Sequence, residues 1–200
     1  MATDAVTLIE NDHRVLEGLF DQLQAGEGDR KALVDEVAAR LNAHSRAEEQ
    51  KVYPAIEQAD PAEEEEVEHA YDEHREAEHL LEKARHLIET PNFGQALTEF
   101  VEAVRHHVEE EENEVLPALR DAVDQKTLER LGAEFEEVRV ELLRGAGIED
   151  EPAATGGVEA ADDLEDATRD ELYERAKEAD IPGRSGMKKE QLAEALREQG

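Results

Sequence analysis

Apolar residues recur every three or four positions from Ala2 to about Arg144, and no segment alternates as a half-buried strand does. This spacing predicts amphipathic helices throughout that part of the chain. Turn-forming residues interrupt it at Gly26–Gly28, at Ala59–Pro61, at Thr90–Asn92 and near Asp124. The pattern therefore predicts an all-α fold of four helices and a fifth, which begins at about Gln125.

Each of the four predicted helices carries a histidine within its apolar stripe. On two of them a glutamate follows one turn later, on the same helix face as the histidine. Isolated buried carboxylates and imidazoles cost free energy, so the set requires a compensating partner. A pair of metal ions between the helices would be one, and nitrogen and oxygen donors of this kind suit iron, manganese or zinc. The candidate metal ligands are His13, His44, Glu48, His74, His107 and Glu111.

The pattern is duplicated within the chain. Residues 44–56 align without gaps to residues 107–119, and six of the thirteen positions are identical. At a similar offset, the residues around His13 align with those around His74. The first four helices therefore form two copies of one helix–helix unit, which would supply a symmetric two-metal site. The alternative is an ordinary bundle in which these polar residues fall on the stripes by chance.

The order His13, His44-x-x-x-Glu48, His74, His107-x-x-x-Glu111 resembles the hemerythrin-like HHE cation-binding domain over residues 4–145. The resemblance implies an up-down four-helix bundle that holds two non-haem iron ions, with the histidines as terminal ligands and the glutamates as bridges. Oxygen-carrying hemerythrins have a second histidine on the third helix, one turn from the first. Here Ala70 and Glu78 stand at those positions, which argues against simple reversible oxygen carriage. Glu78 is either an additional ligand or, as we favour, a flanking residue.

Other polar residues receive a simpler interpretation. The run Glu109–Glu112 is interpreted as a solvated face apart from Glu111, and Tyr71 as a core residue. The remaining histidines fall off the stripes and are expected to be exposed or flanking: His69, His79, His86 and His106.

Charge and composition narrow the functional classes. The 200 residues include 54 acidic and 22 basic side chains, for a net charge of −32, which repels nucleic acid and anionic membranes across most of the surface. The absence of cysteine excludes thiolate metal sites and disulfides. No stretch has the pattern of a signal peptide or a membrane span, so we expect a cytoplasmic protein with no membrane partner.

The C-terminal part has a different character. Residues 146–162 are rich in glycine and acidic residues and predict a flexible linker after the bundle of residues 1–145. Residues 163–200 resemble the small helical module of the Rho termination factor N-terminal and SAP-like domains. The resemblance implies that Arg184, Lys188 and Lys189 would face nucleic acid phosphates. The strong negative charge of the chain favours a protein-interaction module instead.

These observations predict a metal-binding protein whose two iron ions bind or redox-process oxygen, peroxide or nitric oxide. Six protein ligands shared by two ions leave coordination positions open for such a small ligand. Turnover of peroxide as an enzyme, iron buffering or sensing, and an acidic interaction scaffold are the alternatives. Manganese or zinc in place of iron is compatible with the same ligands. The sequence does not predict the oligomeric state.

Overall fold

A computed structural model describes residues 3–60, 64–148 and 188–189. By its contacts the chain divides into two compact units, Met1–Ala153 and Ala154–Gly200. The predicted linker and most of the C-terminal module, including Arg184, lie outside the described residues. The helical segments of the first unit are α1 (Ala5–Ala25), α2 (Arg30–Ala47), π1 (Glu48–Val52), α3 (Tyr53–Ala59), α4 (Glu64–His86), α5 (Phe93–Glu110), π2 (Glu111–Val115), α6 (Leu116–Ala122) and α7 (Gln125–Gly145).

Four long helical rods form the bundle that the sequence predicts. The second rod is α2, π1 and α3 in succession, and the fourth is α5, π2 and α6. Neighbouring rods pack in a closed ring, since α1 contacts α2 and α5, and α4 contacts the same two helices. The additional helix α7 packs on the outside of α1 and α2. The hemerythrin-like all-α architecture is therefore confirmed.

The breaks predicted from the sequence coincide with helix ends, and short polar side chains explain where helices begin. Asp4, Asp29 and Asp124 each accept a hydrogen bond at 2.9 Å from the backbone N–H three residues later. Such a carboxylate satisfies an otherwise unpaired donor in the first turn. Helix α1 ends at Gly26, whose φ of 72° is left-handed and therefore suits glycine.

Two π-helical turns interrupt rods that the sequence predicts as continuous. In each, a backbone N–H donates to the carbonyl five residues earlier, from Tyr53 to Glu48 and from Leu116 to Glu111. A proline follows both donors, Pro54 in one rod and Pro117 in the other. Proline lacks an N–H and its ring clashes with the carbonyl four residues before it, so a wider turn relieves the conflict. Both candidate carboxylate ligands therefore begin a widened turn.

The interior has three layers. One apolar cluster, around Ile9, Tyr53 and Phe135, fills the end of the bundle where α3 and α6 lie. A second cluster, around Phe20 and Phe100, fills the opposite end. The six predicted ligands lie between the two clusters along each rod, and each is at most 5 % exposed. The polar layer thus separates two apolar cores.

Helix α7 approaches the start of α1 through a glycine. A Cβ built on Gly132 would lie 2.4 Å from the backbone oxygen of Thr3 and 2.9 Å from the backbone nitrogen of Ala5. Only a residue without a side chain permits this backbone contact.

Among the described residues, every helix is too short or too polar to cross a lipid bilayer.

Candidate metal centre

The four imidazoles of the polar layer meet in two pairs. Nε2 of His13 lies 3.2 Å from Nε2 of His44, and Nε2 of His74 lies 3.1 Å from Nε2 of His107. Each pair joins a histidine from one rod of a repeat to one from the next rod. All four rings therefore present the same nitrogen to the interior.

The two glutamates span these pairs. Glu48 Oε2 lies 3.2 Å from His44 Nε2 and 3.4 Å from His74 Nε2. Glu111 Oε2 lies 3.3 Å from His13 Nε2 and 3.9 Å from His107 Nε2. Each carboxylate thus reaches one imidazole of each pair, which is the arrangement required of a bridging ligand.

The donor atoms form two overlapping groups with the spacing that metal ions require. His13, His44, Glu48 and Glu111 form one group, and Glu48, His74 and His107 the other, with all donor atoms of a group within 4.8 Å of one another. Ligands about 2.1 Å from a common ion lie roughly 3.0–3.4 Å apart, as most of these pairs do. Neither carboxylate oxygen of Glu48 has a hydrogen-bond partner among the described residues, although both are buried. The layer therefore fits two cations that share Glu48.

The outward nitrogens of the four histidines each face a carboxylate. Nδ1 lies 2.8 Å from Glu112 at His13, 3.4 Å from Asp12 at His44, 3.2 Å from Glu49 at His74 and 2.9 Å from Glu73 at His107. A carboxylate in this position fixes the proton on Nδ1 and directs the Nε2 lone pair inward, as in many metal sites.

Arginines hold three of these four carboxylates. Arg14 contacts Glu112 at 2.6 Å, Arg46 contacts Glu49 at 2.6 Å, and Arg139 of α7 contacts Asp12 at 3.2 Å. The ion pair of Arg139 is buried, which makes α7 part of the support for His44.

The interpretation of Glu112 as a solvated residue was wrong, because its carboxylate lies between His13 and Arg14. The internal repeat contains the signal that would have identified these residues. Asp12 and Glu73 both precede a candidate ligand, and Glu49 and Glu112 both follow one, at matching repeat positions.

Electrostatics make the two pseudo-equivalent glutamates different. Burial, reinforced by the negative charge of Glu111, raises the pKa of Glu48 well above its usual range. Burial would also raise the pKa of Glu111, but its contact with His13 and the nearby imidazoles hold that pKa well below its usual range.

The paired histidines also differ. Burial opposes protonation of His13, but the adjacent carboxylates of Glu111 and Glu48 outweigh it and raise the pKa of His13 to about 9. Burial lowers the pKa of His44 to about 4, since the nearby carboxylate of Asp12 does not compensate.

A buried tyrosine that the sequence analysis did not single out contacts the centre. The Tyr53 hydroxyl donates to Glu111 Oε1 at 3.2 Å and lies 3.4 Å from Nε2 of His74. Its counterpart in the repeat is Leu116, so this contact exists in one half only. Tyr71 is half-buried, packs edge-on against Tyr53 and donates to the carbonyl oxygen of Glu49 at 3.2 Å.

The structure brings all six predicted ligands together and leaves the other candidates outside. Glu78 binds Arg46 at 2.9 Å on the flank, as favoured from the sequence. The four remaining histidines, His69, His79, His86 and His106, are exposed. The specific role of each of the six residues as a metal ligand stays a prediction.

Comparison with known proteins identifies the bundle. Residues 4–119 match the model of the hemerythrin HHE cation-binding domain. The chain belongs to this family. It is therefore a metal-binding protein of the hemerythrin HHE type, with buried His/Glu clusters that can hold the cation. Residues 163–200 match the Rho termination factor N-terminal domain, in agreement with the resemblance seen in the sequence.

Two known proteins are similar to this chain. One is an HHE cation-binding domain-containing protein from Mycobacterium kansasii, whose sequence is 26% identical and whose crystal structure superposes with a TM-score of 0.60. The alignment covers 76% of this chain and 96% of that one. A DNA nickase from Nostoc sp. is 26% identical over 143 residues, which are 70% of this chain. The match spans only 40% of the nickase.

Proposed function

We propose that this HHE protein holds two iron ions in the polar layer and uses them to bind or redox-process oxygen, peroxide or nitric oxide. The observation that carries the proposal is the pair of glutamates that each reach one imidazole of both histidine pairs. Two irons bound there would supply open coordination positions and accessible redox states for a small ligand.

The role of the protein is to prepare six donors and exclude bulk water. The outward carboxylates favour a proton on Nδ1 of the histidines, so that Nε2 is the nitrogen that binds the metal; His13 must first release its second proton. The predicted ligands are almost fully buried between two apolar clusters, which limits access to small molecules.

A cleft between α1 and α5 supplies a route to the layer. It encloses about 520 Å³ and has His13 and Glu112 in its wall. Leu16, Phe20 and Val108 provide apolar lining in the same cleft. A neutral diatomic molecule or hydrogen peroxide is small enough to enter such a cleft, and the nearly complete burial of the imidazoles favours ligands of that size over larger ones.

The direct test is metal content followed by reaction with the ligand. Anaerobic loading with ferrous iron should give about two irons per chain, lost in the double variant Glu48→Ala/Glu111→Ala. Addition of oxygen, peroxide or nitric oxide should then change the visible absorption of the loaded protein. A chain that retains no iron contradicts the proposal. A loaded chain whose absorption spectrum does not change with any of the three ligands favours iron buffering.

Catalysis and stoichiometric reaction give different time courses. Sustained loss of peroxide, abolished by His74→Ala, would establish an enzyme. Consumption that stops after about one peroxide per two irons would indicate a sensor or a single redox event instead.

The cleft has its own test. Val108→Trp should fill the passage and slow the reaction with the ligand while iron content stays unchanged. Thr98→Trp, on the exposed face of the same helix, is the matched control. Equal rates in the two variants would show that the ligand reaches the centre by another route.

We do not extend DNA nicking to this chain. The net charge of −32 opposes binding of a phosphate backbone, and the similarity covers less than half of the nickase.

A further inference from the structure

A second group of histidines and glutamates lies on the outer face of α4 and α5. His69 and Glu73 are one turn apart on α4, and His106 and Glu110 are one turn apart on α5. The spacing is again His-x-x-x-Glu, but on the surface of the bundle instead of its interior.

The side chains of this outer group converge. His69 Nε2 lies 3.3 Å from Glu110 Oε2 and 3.7 Å from Glu73 Oε1. His106 Nε2 lies 3.3 Å from the other oxygen of Glu110. The distances of 3.3 and 3.7 Å are close to the roughly 3.4 Å edge of a tetrahedral zinc site, and all donor atoms of His69, Glu73 and Glu110 lie within 4.8 Å of one another.

One carboxylate of the group is shared with the interior. While Glu73 Oε1 faces His69, its Oε2 accepts from Nδ1 of His107 at 2.9 Å. Glu73 is only 13 % exposed at its side chain, so it connects the surface to the polar layer.

Glu73 differs from the other three carboxylates behind the histidines in its charged partner. Arginine holds three of the four outward carboxylates, as described above. No arginine among the described residues lies within ion-pair distance of Glu73, whose outer oxygen faces the imidazole of His69. A cation at this position would therefore complete the pattern of the other three.

The two halves of the repeat differ here for a structural reason. The positions equivalent to His69, His106 and Glu110 are Leu8, Ala43 and Ala47, which are buried beside α7. The α7 helix also supplies Arg139 to Asp12, the counterpart of Glu73. On the α4–α5 face, polar donors stand in place of these apolar residues and remain open to solvent.

We propose that His69, Glu73 and Glu110 bind a divalent transition-metal ion such as zinc on the surface, and that this ion takes the place behind Glu73 that arginine takes behind the other carboxylates. His106 holds Glu110 in position. Three protein donors and a water molecule complete a tetrahedral site. This site is separate from the interior pair and adds one zinc ion to the metal that the interior holds.

Zinc titration followed by native mass spectrometry tests the site in the full-length chain. His69→Ala should bind about one zinc ion fewer than the parent, and Glu110→Gln should do the same. His79→Ala is the matched control, since His79 is an exposed histidine on α4 outside the group. Glu73 is left unchanged because it also supports the interior centre.

The difference between parent and variant is the readout, so it does not depend on how many ions the interior holds. A chain with an unreactive or empty interior still loses one zinc ion in His69→Ala if the proposal holds. Equal zinc binding by the parent, His69→Ala and Glu110→Gln overturns it. An equal loss in His79→Ala also overturns it, because the loss is then not specific to the group.

Discussion

Glu48 and Glu111, which we propose as bridging ligands, should respond in opposite ways when each is made neutral in the metal-free protein. Both are fully buried and occupy equivalent positions of the repeat. Glu48→Gln and Glu111→Gln keep the shape of the side chain and remove its charge. We expect the first to stabilise the metal-free fold and the second to destabilise it, although both should lose bound metal.

The sign follows from the pKa of each carboxyl group. The pKa of Glu48 is raised in the fold. Its carboxyl group therefore destabilises the fold by an amount that increases as the pH rises above 4.5, its pKa in the unfolded chain. The pKa of Glu111 is lowered, so its ionised form contributes stability that is present above 4.5 and is lost as the pH falls. At about pH 8 the contribution of Glu111 is fully present, and the cost of Glu48 is larger than at any lower pH.

The magnitude follows from the contacts. Neither oxygen of Glu48 has a hydrogen-bond partner among the described residues, and an unpaired buried charge costs more than an unpaired buried amide. We take about 1–3 kcal/mol for the difference, which Glu48→Gln removes. Glu111 receives the Tyr53 hydroxyl and lies 3.3 Å from His13, and hydrogen bonds to a charged group contribute about 1.5–3 kcal/mol. With about 2–4 °C per kcal/mol, Glu48→Gln should raise Tm by roughly 2–12 °C and Glu111→Gln should lower it by roughly 3–12 °C.

Thermal unfolding followed by circular dichroism after treatment with a chelator gives both values. Metal content of the same variants, measured after anaerobic iron loading, gives the second readout. A shift of Tm in the same direction for both variants would refute the electrostatic reasoning. Full metal retention by both would refute the bridging role while leaving the stability argument intact.

Three further predictions concern other parts of the bundle. Gly132→Ala should destabilise the fold by about 1–3 kcal/mol through backbone overlap, whereas Gly18→Ala, with open space at its Cβ, should stabilise its helix by up to about 1 kcal/mol, as measured by denaturant unfolding. The group of four donors contains His44 and should bind its ion more tightly than the group of three, which contains His107. In a manganese titration, His107→Ala should therefore keep the tighter ion, whereas His44→Ala should lose it. Metal uptake near pH 7.5 should release about one proton from His13, whose pKa is about 9, and affinity should rise with pH until that value; calorimetry in buffers of different ionisation enthalpy measures this. Two glycine variants with equal stability, equal retention by the histidine variants, or uptake without proton release would contradict the respective prediction.

Helix periodicity was sufficient to predict the interior of this bundle. The six polar residues could be identified because each interrupts an apolar stripe, and the stripe fixes which side of the helix is buried. The duplication supported the same residues independently. Their convergence in one layer between two apolar clusters follows from the positions they share along the four rods.

The residues behind the histidines could not be found in this way. Asp12, Glu49, Glu73 and Glu112 lie beside the stripe, where charged residues are common and periodicity does not separate support from solvation. Tyr53 lies on the apolar stripe, but the sequence does not reveal whether a tyrosine there only packs with its ring or also forms a hydrogen bond through its hydroxyl. The π turns were also hidden, because proline within a helix predicts a break or a kink equally well.

The placement of α7 is the feature that makes the duplicated halves unequal, and no periodic pattern encodes it. Its amphipathic stripe predicts that it packs on the bundle, but either face of a pseudo-symmetric bundle would satisfy that stripe. In the structure it packs on the first half, where Gly132 permits its backbone contact with the start of α1. Once α7 covers α1 and α2, Arg139 supports Asp12 in that half, whereas Glu73 is left facing the surface histidine of the other. The duplicated candidate ligands therefore stand in two different electrostatic environments, which is why we expect the two proposed metal ions to bind with unequal affinity.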